Sequence, residues 1–396
     1  MVDLDTGRTS QPSDVWLLDG RVERLVGTAT TPRSGNVLDV GGRFVIPGLI
    51  DTHMHLAMDT RDDPMSTYER STDGEILRQV VVNARTALRA GVTCVRDCGT
   101  PRRLLARIKQ TTDALPDMPT IVHVGAPICR PGGHGHLFGG EVRERSDIET
   151  IVAEQRANGA SWVKVMVSGG GMTAGTRPGA VELDPALLAD TVAIAKHHGM
   201  LVAAHCHASA AMAASIDAGV HTVEHASMLD GHDQTRPDRD LLRRAADVGV
   251  CIGPTVVAAR IVANNLRAGR NRTNPDDRNA IQRLEARFTN LAEFLHADVP
   301  IIAGTDAGPA HVGFDLLPSE LELYVEAGMS TRQALRSATC DAADRLGVGS
   351  DIGHLRPGWR ADLVVTEADP LKDITTLRAP HAVVKNATLW LPSNEC

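Results

Sequence analysis

Three features of the 396-residue chain predict an α/β fold: a (β/α)8 TIM-type barrel with a small β-sandwich domain built from both chain ends. Short apolar runs alternate with stretches of helical spacing through the middle of the chain, the pattern of parallel strands joined by crossover helices. Eight such runs occur, enough to close a ring. Strand-like segments separated by turn residues lie at both ends of the chain, each too short for a core of its own unless the ends pair.

Taken in order, Val15-Trp16-Leu17-Leu18 and Arg21-Val22-Glu23-Arg24-Leu25-Val26 flank Asp19-Gly20, a hairpin turn pair. The first barrel strand follows in Arg43 to His55, apolar until its last residues. Ile76 to Ala90 has helical spacing and stops at Gly91. Further strands are expected at Val92–Asp97, Thr120–Val124, Trp162–Val167, Leu201–His205, His221–His225, Val250–Pro254 and Pro300–Asp306. Helices are expected between them at Ile148–Asn158, Pro185–His198, Ala208–Ala218, Asp240–Val248 and Asp277–His296. Strand-like Asp362–Thr366 and His381–Asn386 then answer the opening hairpin. The expected division is residues 12–46 with 350–396 for the sandwich, and 47–349 for the barrel.

Composition narrows the function. A hydrophobic content of 42% with 23% charged residues supplies a sizeable core. Net charge is −8 and the basic residues are dispersed, which excludes an electrostatic footprint for nucleic acid. No apolar run is long enough to span a bilayer, and Met1 to Gln11 is polar and acidic, unlike a secretory signal. A cytoplasmic protein acting on a small molecule, with no membrane partner, is expected. Cys94, Cys98, Cys129, Cys206, Cys251, Cys340 and Cys396 are odd in number and lack finger spacing, which suits a reducing compartment. Cys94 and Cys98 lie four apart, and a redox pair is the minor reading there.

The polar residues fall at strand ends. Alternation puts Asp51, His53 and His55 on one side of the first strand. Lys164 lies in the fourth strand, while His205, His225 and Asp306 end the fifth, sixth and eighth. A lone strand-end histidine is more often structural than a ligand. Chance does not readily place four histidines, a lysine and an aspartate at the same end of five strands, which is the end where barrels build their sites. Imidazoles and carboxylates suit a zinc-like cation, and a catalytic site leaves one position open to water. A charged Lys164 would be repelled there, whereas carboxylation by CO2 would make it an anionic bridge. The expected cofactors are therefore two divalent ions, zinc by preference. His53, His55 and Asp306 would hold one ion and His205 and His225 the other, with carboxylated Lys164 and a hydroxide across both.

Val45-Ile46-Pro47-Gly48-Leu49-Ile50-Asp51-Thr52-His53-Met54-His55, Val163-Lys164-Val165-Met166, Ala203-Ala204-His205, Glu224-His225 and Gly304-Thr305-Asp306-Ala307-Gly308 resemble the metal motifs of the amidohydrolase superfamily. Leu355 to Val365 is similar to the segment with which such chains return to their small sandwich. The resemblance is strongest to the imidazolonepropionase-like branch with a carboxylated lysine, which holds Xaa-Pro and Xaa-Arg dipeptidases, ochratoxin-type amidases and carbamate or urea hydrolases. It implies hydrolysis of a C–N bond in an amide-like small molecule, such as an N-acyl amino acid or dipeptide. The bridging hydroxide would attack the carbonyl, with Asp306 as proton carrier. It also implies a family in which homo-oligomers are common. The rival readings are a ring-opening or deaminating hydrolase of lactams, imidazolones or other heterocycles, and a catalytically silent scaffold.

Further candidates surround this set. Pro131-Gly132-Gly133-His134-Gly135-His136 is a glycine-rich loop after the third strand, and His134 resembles the substrate-facing histidine of the branch, placed to donate to an oxyanion. No Lys-Ser/Thr follows the loop, which argues against phosphate cradling. His136, His207 and Arg177 are candidate substrate contacts, Arg177 as a clamp for a carboxylate. Met228 stands where many peptidase members of the branch carry a tyrosine, which separates this chain from their specificity. His197 and His198 end a helix, where cations suit the dipole.

Overall fold

The computed structural model describes residues 1–27, 37–270, 277–309 and 311–390. Seven parallel strands form two sheets. One contains Leu49–Met54, Val92–Asp97 and Thr120–His123; the other contains Trp162–Met166, Leu201–Ala208, Thr222–Leu229 and Cys251–Gly253. Within each sheet, strands consecutive in sequence pair in parallel. Leu49–Met54, Val92–Asp97 and Trp162–Met166 are buried along their whole length, as parallel strands are when helices cover the sheet.

Hydrogen bonds join the two sheets at both edges. Beyond the third strand, Ile128 N donates to Lys164 O and Met166 N to Ile128 O, each at 2.8 Å. On the other side Ile302 N donates to Ile252 O at 3.0 Å, Thr52 N to Ala303 O at 2.9 Å and Asp306 N to His53 O at 2.7 Å. Residues 300–307 thus occupy the place of the expected eighth strand, but they make isolated bridges at Ile301 and Ala307 instead of a continuous ladder. Asp306 has φ +58° in the left-handed region, so the chain breaks from strand geometry there. A Cβ at Gly304 would lie 2.8 Å from that of His53, so only glycine lets the two segments approach this closely.

The crossover helices Asp73–Arg89, Arg145–Ala157, Pro185–His197, Ser209–Ala218, Arg239–Val248 and Asp277–His296 match the expected spacing to within a few residues. Asp73–Arg89 opens with a capping box between Thr72 and Glu75, and turns Ile76, Val80, Ala84 and Ala87 inward. Helices Leu105–Asp113, Val256–Arg267, Leu317–Glu326, Thr331–Ser337 and Cys340–Leu346 were not anticipated. Several are two turns long, too short for a periodic signal. No helix among the described residues is long and apolar enough to cross a membrane.

The chain ends meet. Phe44–Pro47 pairs antiparallel with Leu363–Thr366, which pairs with Ala382–Lys385, and that strand with Thr388–Trp390. The hairpin Ser13–Leu18 and Arg21–Gly27 is a separate sheet, and its Val15 and Leu17 pack on Val45, Leu363, Val365 and Ala382. Residues 28–36 and 391–396, Cys396 included, lie outside the described residues. The other six cysteines are buried free thiols. Burial pushes Cys94 up to about 12 and Cys98 to about 11, opposite to a reactive redox pair.

One buried ion pair ties the terminal sheet to the parallel strands. Lys385 Nζ donates to Asp362 Oδ2 at 2.7 Å and to Thr120 Oγ1 at 2.9 Å. Replacing Asp362 by alanine would strand the ammonium, and is expected to lower stability by about 3 kcal/mol in urea denaturation. A loss below about 1 kcal/mol would remove the pair from the account.

Candidate active site

The ends of the first, fifth and sixth strands converge with Asp306. His55 Nε2 lies 3.1 Å and His53 Nε2 3.5 Å from Asp306 Oδ1, and His225 Nδ1 lies 3.9 Å from Oδ2. Potential ligand atoms of His53, His225 and Asp306 are all within 4.8 Å of one another, and so are those of His205, His207 and His225. His207, expected only as a substrate contact, therefore joins the cluster, its ring stacked 4.8 Å from that of His225. Lys164 is buried in the middle of the fourth strand, and its Nζ has no hydrogen-bond partner.

Non-glycine residues with positive φ concentrate here: His225 at +69°, Ala226 at +43°, Met228 at +52°, Thr255 at +49° and Asp306 at +58°. Such conformations cost on the order of 1–3 kcal/mol each and persist where the surroundings over-determine them. At the sixth strand the consequence is visible. Glu224 and His225 are adjacent, yet both lie against His53, which a regular alternating strand does not allow.

Under the histidines lies a buried polar chain. Glu224 accepts from His53 Nδ1 at 2.9 Å, from Arg96 Nη2 at 2.6 Å and from Thr222 Oγ1 at 2.5 Å. Arg96 also donates from Nε to Thr52 O at 2.6 Å, and its guanidinium stacks 4.6 Å over the Trp162 ring. The bond to Glu224 fixes His53 as the Nδ1–H tautomer and leaves the Nε2 lone pair toward Asp306. His205 Nε2 is held likewise by Gly169 O at 3.2 Å, which leaves Nδ1 free. Asp51, expected on the histidine face, is spent elsewhere: it accepts from His53 N at 2.9 Å and Thr305 Oγ1 at 2.7 Å, anchoring the segment that carries Asp306. Pairing shifts register on both sides of Ile50 and Asp51, which defeats simple alternation.

Electrostatics keep the cluster in ligand form. Burial, with the Lys164 charge, pushes His53 down to about 4, and burial pushes His134 to about 4 as well. His205, His207 and His225 lie well below the usual imidazole range, chiefly from burial. Burial alone would raise Asp306, but the His53 and His55 rings and the Arg287 charge bring it down to about 2. Arg96 and Lys164 hold Glu224 low against the same penalty. Neutral imidazoles beside an ionised carboxylate are a donor set for divalent metal. The unpartnered Lys164 fits that centre too, since a buried ammonium is costly unless it is neutralised or paired.

The other candidates separate by their contacts. Half-buried His134 has Nδ1 3.0 Å from Thr173 Oγ1, and its ring sits 4.7 Å from that of His205, over the cluster. A Cβ at Gly170 would fall 2.4 Å from His134 Nε2, so glycine is what lets the loop pass the ring. His136 pairs locally, Nδ1 to Gly133 O at 3.0 Å. Arg177 is exposed; it donates to Gly231 O at 2.8 Å and faces Asp233, joining two surface loops instead of reaching the cluster. Met228 is buried in the apolar core. Sequence reasoning gave no role to Arg96 or Arg287, and quoted Glu224 only as part of the sixth-strand motif. Charged residues inside otherwise apolar strands were the available signal for Arg96 and Glu224.

The model of the amidohydrolase family matches residues 44–388. The chain belongs to that family. It is a hydrolase acting on carbon–nitrogen bonds. An ochratoxinase of Aspergillus niger is 27% identical over 382 residues, covering 86% of this chain and 73% of that protein. An uncharacterised protein of Mycobacterium tuberculosis is 26% identical over 385 residues, covering 96% and 92%. Among solved structures, a Xaa-Pro dipeptidase with methionine in its active site superposes at TM-score 0.85 with 22% identity, covering 94% of this chain and 93% of that one. A putative prolidase from Bifidobacterium longum gives TM-score 0.81 at 26% identity, covering 99% and 92%.

Glu224→Gln should weaken affinity for added divalent metal about 10- to 100-fold, read by chelator competition, because it loosens the orientation of His53. Unchanged affinity would mean that the buried chain does not steer the ligand.

Proposed function

We propose that this amidohydrolase is a binuclear, metal-dependent enzyme that cleaves an amide-like C–N bond of a small molecule, an N-acyl amino acid or dipeptide. The observation that carries the reading is Lys164, whose buried Nζ has no partner amid neutral imidazoles. As a carbamate it would bridge two ions, His53, His55 and Asp306 holding one and His205 and His225 the other. His207 would flank the second ion. The linked parallel sheets read as a closed (β/α)8 barrel over residues 47–349, and the paired ends as a small sandwich of residues 12–46 and 350–396. An acidic net charge and six buried free thiols support a cytoplasmic enzyme without nucleic-acid or membrane partners.

Bound zinc would supply Lewis acidity and a water made nucleophilic near neutral pH. The protein's own groups do the rest. Asp306, ionised and bonded to His55, accepts the proton and returns it to the leaving nitrogen. The Thr173 hydroxyl, donating to His134 Nδ1, would leave Nε2–H to donate to the carbonyl oxygen as charge develops. A hydrolysis screen over N-acyl amino acids, dipeptides, lactams and carbamates, with metal analysis of the purified protein, tests the whole. Near two equivalents with turnover of acyl amino acids supports it; no metal supports a silent scaffold.

Lys164→Ala should lose metal and activity together, and short-chain carboxylic acids with added metal should restore part of the rate. Full activity in that variant would defeat the binuclear reading. His134→Ala should lower kcat about 10²-fold with metal content unchanged and KM modestly affected. Wild-type values of both would make its loop architecture alone.

A further inference from the structure

The helix Asp277–His296 turns a polar edge toward the cluster. Arg287 and Asn290 are both buried on it, and Asn290 Nδ2 donates to Ser227 O at 3.0 Å over the end of the sixth strand. Arg287 reaches further in. Its Nη2 lies 3.0 Å from His225 Nδ1, 2.9 Å from Pro254 O and 3.0 Å from Thr255 O, and also touches Thr255 Oγ1. These contacts crowd onto one nitrogen, while the buried Nε has no partner.

The charge has no direct ion-pair partner; the carboxylates of Asp306 and Glu320 act on it only from further off. Among the described residues no carboxylate forms an ion pair with this guanidinium within 4.0 Å. Glu320, on the same side, uses its oxygens on Val256 N at 2.9 Å and Val257 N at 2.6 Å, capping a helix. The groups in contact are a neutral imidazole, two carbonyls and a hydroxyl. A guanidinium does not shed its proton to escape such a position, and an unpaired buried cation is costly. What would satisfy it is an anion arriving with the ligand, and its planar fork suits a carboxylate.

We propose that Arg287 reads a carboxylate of the bound substrate and so selects N-acyl amino acids or peptides with a free C-terminus over neutral amides, carbamates and ureas. This rests on the hydrolase reading above, and it gives to Arg287 the task that sequence reasoning gave to Arg177.

The test is calorimetric titration of the metal-loaded protein with L-leucine and L-leucinamide, a matched pair that differs in the anion. Wild type should bind the acid about tenfold more tightly or better, and Arg287→Gln should bring the ratio near one. Arg287→Lys keeps charge without the fork, should give an intermediate ratio, and decides the matter if the glutamine variant does not fold. The kcat/KM ratio of N-acetyl-L-leucine over its amide should fall in parallel. No preference in wild type, or a preference unchanged in the variants, overturns the assignment. Binding preference for the acid without turnover of either acyl compound would instead retire the hydrolase reading and leave the anion site standing.

Discussion

The structure hangs on one buried carboxylate. Glu224 is held by Arg96 on one side and by His53 on the other, with Thr222 completing its bonds. Burying such a pair is expensive, and a well-packed apolar pair would often serve stability better. What the pair provides is orientation. Arg96 bonds the first strand through Thr52 O and stacks on Trp162 of the fourth, so the Arg96–Glu224 pair links the first, second, fourth and sixth strands beneath the site. The ligand face of His53 follows from that linkage.

Above this chain the backbone is strained where the site needs it. Left-handed φ falls at His225 and Ala226 within the sixth strand, at Thr255 just beyond the seventh and at Asp306 in the bridging segment. The strain lets neighbouring side chains face one way, and Asp51 and Thr305 pin the last of these turns. Backbone energy stored at a site is withheld from stability elsewhere, which gives the remote Lys385–Asp362 pair its weight.

The strand-end histidines were legible in sequence because each sits at the polar end of an apolar run, and Lys164 because it is a charge inside one, patterns that are local in the chain. His134 was legible from the glycines around it, which permit close approach. Asp51 and Arg177 have partners that local pattern does not show. Asp51 obeyed alternation on paper, but the register of the first strand shifts around it. Arg177 followed a glycine loop that folds back on its neighbour, so its side chain ended at Gly231.

The sequence by itself determined the alternation of strands and helices, the polar strand ends and the family motifs, because these are local in the chain. Only the tertiary structure decided that His207 joins the cluster, that Arg96 and Glu224 pair beneath it, and that Arg287 comes in from a distant helix. Arg96 and Glu224 are 128 residues apart and Arg287 and His225 are 62 apart. Contacts across such separations leave no periodic trace, since closure of the strands, not spacing along the chain, brings them together.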